Sequence, residues 1–302
     1  MARTRRTLAL RLWTINAREG DVVFPYEALF SQLAAQDSSQ TIQRISPDLS
    51  FAIDLQRTVG RDRSRDDESV YTGTVVAGAP GEVPIYFDYR TGQTETGATP
   101  EGKWLAQVSR LAISLTSQGR YLALESGRNG VTAARLARYF QLLAEEYLVA
   151  GPTEFDINPI QSPSLLAEID SFARIREASA IVTRPNYDWT DMSSKLSELA
   201  QESTGHEASA TVRAARGNSL SKTDGIIGAI RGSLVGKAAM NRFKITGRKQ
   251  NSDRDTTITS DKHQQRIFVS VPATPGPEVD ELAFHKALQL ISDQHELDSS
   301  ER

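Results

Sequence analysis

Two short apolar runs, Val108 to Leu115 and Tyr121 to Glu125, flank a Ser117-Gln118-Gly119 turn and lead straight into a segment of different period. There Leu136, Phe140, Leu143 and Tyr147 recur at steps of three and four, the spacing that gives a helix one apolar face. Gly151-Pro152 stops it. A strand pair followed at once by an amphipathic helix must bury a sheet face against that helix, and this constrains the chain more than any other feature. Upstream, Leu8, Leu10 and Leu12 alternate as in a half-buried strand. Pro25 opens a helix whose stripe is Leu29, Phe30 and Leu33. Short strands are expected around 41–46, 49–58, 69–77 and 83–89. The charge-alternating run from Gly60 to Glu68 and the polar run from Thr91 to Gly102 read as surface loops.

The second half repeats the mixture. Residues 154–164 read as a linker, Leu165 to Phe172 as a short helix, and Arg174 to Thr183 as a strand ending at Arg184-Pro185-Asn186. A helix capped by Asp188 or Thr190 runs through Leu196 and Leu199. A strand follows from Ala208 to Ala214, then a helix from Thr223-Asp224 to about Val235. Strands at 239–248 and 264–271 flank a polar loop, and a last helix covers Pro277 to His295. The order lacks strict βαβ regularity. An α+β fold is expected, in two domains (1–153 and 154–302), each a mainly antiparallel sheet packed with helices. A chain of 302 residues suffices for two cores.

Charge is the main functional signal. Overall the chain carries 35 basic and 38 acidic residues, a formal balance of −3. Between 213 and 249, however, Arg213, Arg216, Lys222, Arg231, Lys237, Arg242, Lys244, Arg248 and Lys249 face a single acid, Asp224. A concentrated positive field on a mildly acidic protein is a binding footprint, and phosphate is its commonest target. Arg242 and Lys244 share one face of the predicted strand, while Arg248 and Lys249 stand at its turn into Gln250-Asn251-Ser252. Asn218, Ser219, Ser221 and Thr223 add hydroxyl and amide donors nearby. With Phe243 as its lone aromatic, the segment favours duplex backbone contact over base stacking. A variable solvated surface is the bland alternative.

Other chemistries find less support. Zero cysteines exclude disulfide frameworks, cysteine zinc sites and thiol catalysis, and fit a reducing cytoplasm. No window approaches the roughly 18 apolar residues of a membrane span, so no membrane insertion is expected. The start, though basic and briefly apolar, is too charged downstream for a signal peptide. Gly232 to Ala238 imitates a P-loop but has one residue too few and Ala238 where Ser or Thr belongs. Gly127-Arg128-Asn129-Gly130 reads as an ordinary strand-to-helix turn. His206, His263, His285 and His295 are scattered. Asp54, Asp88, Glu125 and Asp156 lie near strand ends, the one arrangement that would suit a metal-dependent nuclease. Gly228, Gly232 and Gly236 form a bare helical stripe, expected to allow close approach of a packed element or, alternatively, of phosphate. Trp13, Trp104 and Trp189 read as core or interface anchors.

Two segments resemble a known family. They are the strand pair Leu111 to Leu115 and Tyr121 to Glu125 with its following helix, and Ala178 to Asn186 with the helix to Ala200. In order and spacing these are similar to bacterial and phage-encoded proteins related to RexA, the lambdoid phage-exclusion protein. The resemblance implies a cytoplasmic, non-enzymatic homodimer of two α+β domains that binds double-stranded DNA with little sequence preference in anti-phage defence. The expectation is therefore a nucleic-acid-binding protein without cofactor, homo-oligomeric and using the cations of 213–249. The alternatives are a metal-dependent nuclease, or a protein-interaction subunit of a defence complex docking an acidic partner.

Overall fold

The computed structural model describes residues 5–19, 22–58, 69–79, 85–87, 90–98, 100–101, 103–116, 119–125, 131–148, 153–162, 164–183, 207–235, 242–250 and 252–272. Two compact units emerge, one built on residues up to Ile157 with the returning strand from Ile267, the other on Asn158–Arg266. The fold is α+β, with antiparallel strand pairing in both main sheets.

The first unit comprises β1 (Arg5–Glu19), β2 (Val22–Val23), α1 (Tyr26–Ala34), β3 (Gln43–Ser46), β4 (Leu49–Thr58), β5 (Ser69–Ala79), β6 (Ile85–Phe87), β7 (Thr94–Thr96), β8 (Leu105–Leu115), β9 (Arg120–Glu125), α2 (Ala133–Tyr147) and β10 (Thr153–Pro159). Its main sheet runs β10-β1-β9-β8-β5-β4-β3. Trp13, Leu122, Ile113 and Tyr71 form one cross-strand row. This row faces Leu29, Phe30 and Leu33 of α1 and Leu136, Phe140 and Leu143 of α2, the two stripes read from the sequence. Phe30 and Phe140 meet edge-on at 5.4 Å, a favoured aromatic geometry.

The neighbouring row, Leu12, Ala123, Ala112 and Thr72, is also buried. The middle of this sheet is therefore covered on both faces, where the alternation of Leu8, Leu10 and Leu12 predicts burial on one. The reason lies at the odd positions, since Trp13 and Ile15 give β1 a second apolar side. Thr41 ties the edge together. Its hydroxyl accepts from Ile53 N at 3.0 Å and donates to Ile53 O at 2.8 Å, standing in for a ladder partner where β3 no longer pairs with β4. Tyr139 donates its hydroxyl to the Thr41 carbonyl at 2.7 Å, and burial raises the phenol pKa.

The second unit comprises α3 (Ser164–Asp170), β11 (Phe172–Thr183), β12 (Glu207–Arg213), α4 (Gly225–Val235), β13 (Arg242–Lys249), β14 (Asp255–Thr259) and a single 3-10 turn, Ser260–His263. Its sheet order is β12-β11-β13-β14. Phe172, Ile175, Ala178, Ala180, Phe243, Ile245 and Ile258 bury one face against Leu165 and Ile169 of α3 and Ile226, Ile227 and Ile230 of α4. β15 (Arg266–Pro272) then pairs with β1 of the first sheet.

Three strands depart from the sequence reading; the first is β7, which lies inside the expected Thr91–Gly102 loop and pairs with β6. β10 occupies much of the expected linker, as an edge strand held by one buried aromatic, Phe155. β14 falls within the expected polar loop, because Asp-Thr-Thr-Ile-Thr offers one apolar side chain and its strand character comes from pairing with β13. The helices expected from 188 to about 199 and from 277 to 295, the Gly60–Glu68 loop, the Gly127–Gly130 turn, the Arg184-Pro185-Asn186 turn and Trp189 lie outside the described residues.

Candidate nucleic-acid interface

β13 is an inner strand with alternating burial. Phe243, Ile245 and Gly247 point into the core, so Arg242, Lys244, Thr246 and Arg248 must point the other way. Cross-strand pairing extends that outer face into four rungs. Ser209, Ile181 and Arg242 make the first; Thr211, Ser179, Lys244 and Thr259 the second. Arg213, Glu177, Thr246 and Thr257 make the third, and Arg174, Arg248 and Asp255 the fourth. Arg242, Lys244, Arg248 and Arg213 are exposed, as are Ser209, Thr211 and Thr257. The Thr246 and Thr257 hydroxyls share a hydrogen bond of 3.0 Å.

The fourth rung depends on irregularity in β11. Register shifts between Phe172 and Arg174 and between Ile175 and Glu177 place extra β11 residues against β13. The loop after β12 takes up the freed backbone groups. Ile175 N donates to Ser219 Oγ at 3.0 Å, Leu220 N to Ile175 O at 2.9 Å and Ala214 N to Arg176 O at 2.8 Å. Arg174 thus stands directly opposite Arg248, a like-charge pairing that costs stability in a sheet. Arg174 Nε donates to Asn218 O at 2.8 Å, and Arg176 crosses to pair with Asp255 on β14. Sequence reasoning missed Arg174, Arg176, Glu177 and Asp255. Their signal was non-local, since nothing in the 213–249 window says which strand β13 will pair with.

The nine cations proposed from the sequence therefore divide. Arg242, Lys244, Arg248 and Arg213 share the outer face, and Arg216 is exposed in the loop beyond β12. Lys222, Arg231 and Lys249 turn instead to α3. Lys222 Nζ donates to the Asp170 carbonyl at 2.9 Å, Arg231 pairs with the Asp170 carboxylate at 2.6 Å, and Lys249 pairs with Glu168. These three match the negative end and acidic side chains of a short helix. Lys249 is thus separated from Arg248 by strand parity, although the two are adjacent at the predicted hairpin tip. Lys237 lies outside the described residues. Of the donors read beside them, Ser219 donates to the Leu220 carbonyl, Ser221 and Thr223 both donate to the Asp224 carboxylate before α4, and Asn218 contributes its backbone carbonyl to Arg174.

The Asp170 carboxyl is held below the usual carboxylate range, first by the hydrogen bond from Arg231, with the charges of Arg231 and Lys222 adding. A carboxyl with a depressed folded pKa stabilises above its unfolded pKa and loses that contribution as pH falls through the folded value. Asp170→Asn is accordingly expected to lower the melting temperature at neutral pH. The difference should vanish once the pH is below the folded pKa, a pattern that thermal melts across pH would reveal.

The glycine stripe serves close approach at Gly228 and not at Gly232. A Cβ on Gly228 would meet the Thr223 carbonyl of its own loop at 2.3 Å, whereas one on Gly232 would meet nothing within 4 Å. Gly236 lies outside the described residues. Gly232 is exposed within a helix, so Gly232→Ala should raise stability by about 1 kcal/mol, measurable by denaturant unfolding.

Among the described residues, no group of three or more His, Asp or Glu side chains could hold a metal ion. Asp54 is on β4, Glu125 on β9 and Asp156 on β10, and Glu125 accepts from Arg110 Nη1 at 3.0 Å and from its backbone N at 3.1 Å. Asp88 lies outside the described residues. No helix among those residues is long and apolar enough to cross a membrane. Trp13 packs against the first core, while Trp104 is exposed and lies over Gly78.

Fold and site together define a two-unit α+β protein. Its second sheet is covered by helices on one face and presents cations and hydroxyls on the other. Residues 111–282, more than half of the chain and from within β8 to beyond β15, match a domain of unknown function, DUF4747; the chain belongs to that family. No curated protein matches the chain.

Proposed function

We propose that this protein binds nucleic acid without acting on it chemically, gripping phosphates with the outer face of the second sheet. The observation that carries the reading is the row Arg242, Lys244, Arg248. All three are exposed on one face of one strand, and none is in a salt bridge among the described residues. Alternate strand residues recur about every 7 Å, close to the separation of successive phosphates along a nucleic-acid strand. Hydroxyls of Thr211, Ser179 and Thr259 on the Lys244 rung, and of Thr257 on the next, suit further phosphate-oxygen contacts.

Duplex DNA is the favoured ligand, with little sequence preference. The rungs carry no aromatic side chain, and Phe243 is buried in the core, which removes the stacking platform that single-strand binders use. Arginine, lysine and hydroxyl side chains on a sheet face suit contacts to phosphates and sugars, which carry no direct sequence information. The resemblance to RexA-like phage-exclusion proteins supports a homo-oligomer acting in anti-phage defence in the cytoplasm.

The test is fluorescence anisotropy with labelled duplex DNA, single-stranded DNA and RNA across a salt series. Affinity for duplex that falls steeply with salt and varies little with sequence is expected. No binding at low salt would overturn the reading. Magnesium-dependent cleavage of the same duplex would favour the nuclease alternative, and co-purification of a stoichiometric acidic protein would favour the partner-subunit one.

A further inference from the structure

The outer face has an acid at its middle. Glu177 lies on the inner strand β11, flanked by Arg213 on β12 and Thr246 on β13. Arg213 Nε donates to Glu177 Oε2 at 2.7 Å, yet the Arg213 side chain remains 75% exposed. The Glu177 carboxyl is held below its ordinary range, first by that hydrogen bond and further by the charges of Arg213, Lys244 and Arg176, so it stays ionised at neutral pH. A pair this open to solvent adds little to stability. Its stronger consequence is for whatever anion approaches the face. Among the described residues, the other salt-bridged acids of the unit are placed differently: Asp255 is on an edge strand, and Glu168 and Asp170 belong to α3.

We propose that Glu177 competes with nucleic-acid phosphate for Arg213 and so limits the affinity of the sheet face. The inference rests on the reading of that face as a phosphate-binding surface. In the free protein the guanidinium is occupied by the carboxylate; on the nucleic acid it must either exchange partners or leave one phosphate unmatched. Glu177 also repels any phosphate seated between Lys244 and Arg213. A surface with this internal competitor holds duplex while releasing it readily, which suits a binder that must move along a sequence it does not read.

The experiment compares the full chain with the Glu177→Gln, Arg213→Ala and Arg213→Ala/Glu177→Gln variants on one labelled duplex across a potassium chloride series, with thermal melts alongside. Glu177→Gln should steepen the salt slope by about 0.9, one additional phosphate contact, and so tighten binding roughly eightfold at about 0.1 M salt. In the Arg213→Ala background the same substitution should leave the slope unchanged, because the gain runs through Arg213. Equal or weaker binding by a Glu177→Gln protein that melts like the parent would overturn the competitor role while leaving the phosphate-face reading intact. If the glutamine disturbs folding, Glu177→Ala removes the same charge and is judged by the same outcomes. A parent chain that fails to bind duplex even at low salt overturns the underlying reading, and the competitor role with it.

Discussion

Changing Arg242, Lys244 and Arg248 together to alanine is expected to lower the salt slope of duplex binding by about 2.7, three phosphate contacts at roughly 0.9 each. At about 0.1 M salt that difference amounts to a loss of roughly 10²–10³-fold in affinity. The three side chains are exposed and point away from the core, so the variant should melt close to the parent. Surface substitutions of this kind stay within about 0.5 kcal/mol. Lys249→Ala and Arg231→Ala are the informative controls. They remove the same charge from the same stretch of sequence, but their side chains are engaged by Glu168 and Asp170 of α3. These two variants should lose stability and keep the slope. Anisotropy titrations paired with thermal melts separate the two groups. If all five cations contribute equally to the slope, the signal is simply total charge, and the sheet face has no special standing.

Gly247→Ala is expected to produce a large loss of stability in the second unit. The bulged β11 backbone crosses so near to β13 here that a Cβ would lie 2.2 Å from the Arg174 carbonyl oxygen, 2.9 Å from Ile175 Cα and 3.0 Å from a Phe172 ring carbon. Two of the three obstacles are backbone, which cannot swing aside as a side chain does. Overpacking of this kind costs about 3 kcal/mol. For a unit of about 100 residues, this corresponds to a fall of roughly 12–24 °C in melting temperature. The substitution also forces apart the rung on which Arg174 faces Arg248, so duplex affinity should fall with it even well below the melt. Calorimetry and anisotropy on one preparation would check both. An unchanged melt would mean that β11 and β13 do not approach as closely as the bulges require.

Much of the architecture is legible in the chain. The stripe Leu136, Phe140, Leu143 and the trio Leu29, Phe30 and Leu33 are short-range patterns, and each became a helix face against the first sheet. The strand pair ending at Glu125 and the strand from Ala208 were equally visible, because alternation over a few residues is a local property. β10 and β14 were not visible. Each is an edge strand with one buried apolar residue, Phe155 and Ile258, and each exists because a neighbour offers hydrogen bonds. The glycine stripe was informative at Gly228 but not at Gly232, for a related reason. A four-residue repeat shows that one helix side is bare, but what approaches that side is decided elsewhere in the fold.

The candidate site shows the same division. The sequence alone determined that nine cations and one acid crowd residues 213–249, and that Arg242 and Lys244 share one strand face; Arg248 joins them because β13 runs on to Lys249. Tertiary structure decided which of the nine matter together. Folding α3 against the covered face supplied Glu168 and Asp170, which engage Lys249 and Arg231 on the side opposite the outer face. Pairing β11 with β13 through two register shifts set Arg174 opposite Arg248 and placed Glu177 beside Arg213. Charge density is a sum along the chain and can be read from it directly. Which charges meet depends on pairing between strands about 70 residues apart, and pairing at that range is settled by burial and backbone hydrogen bonding across the whole unit.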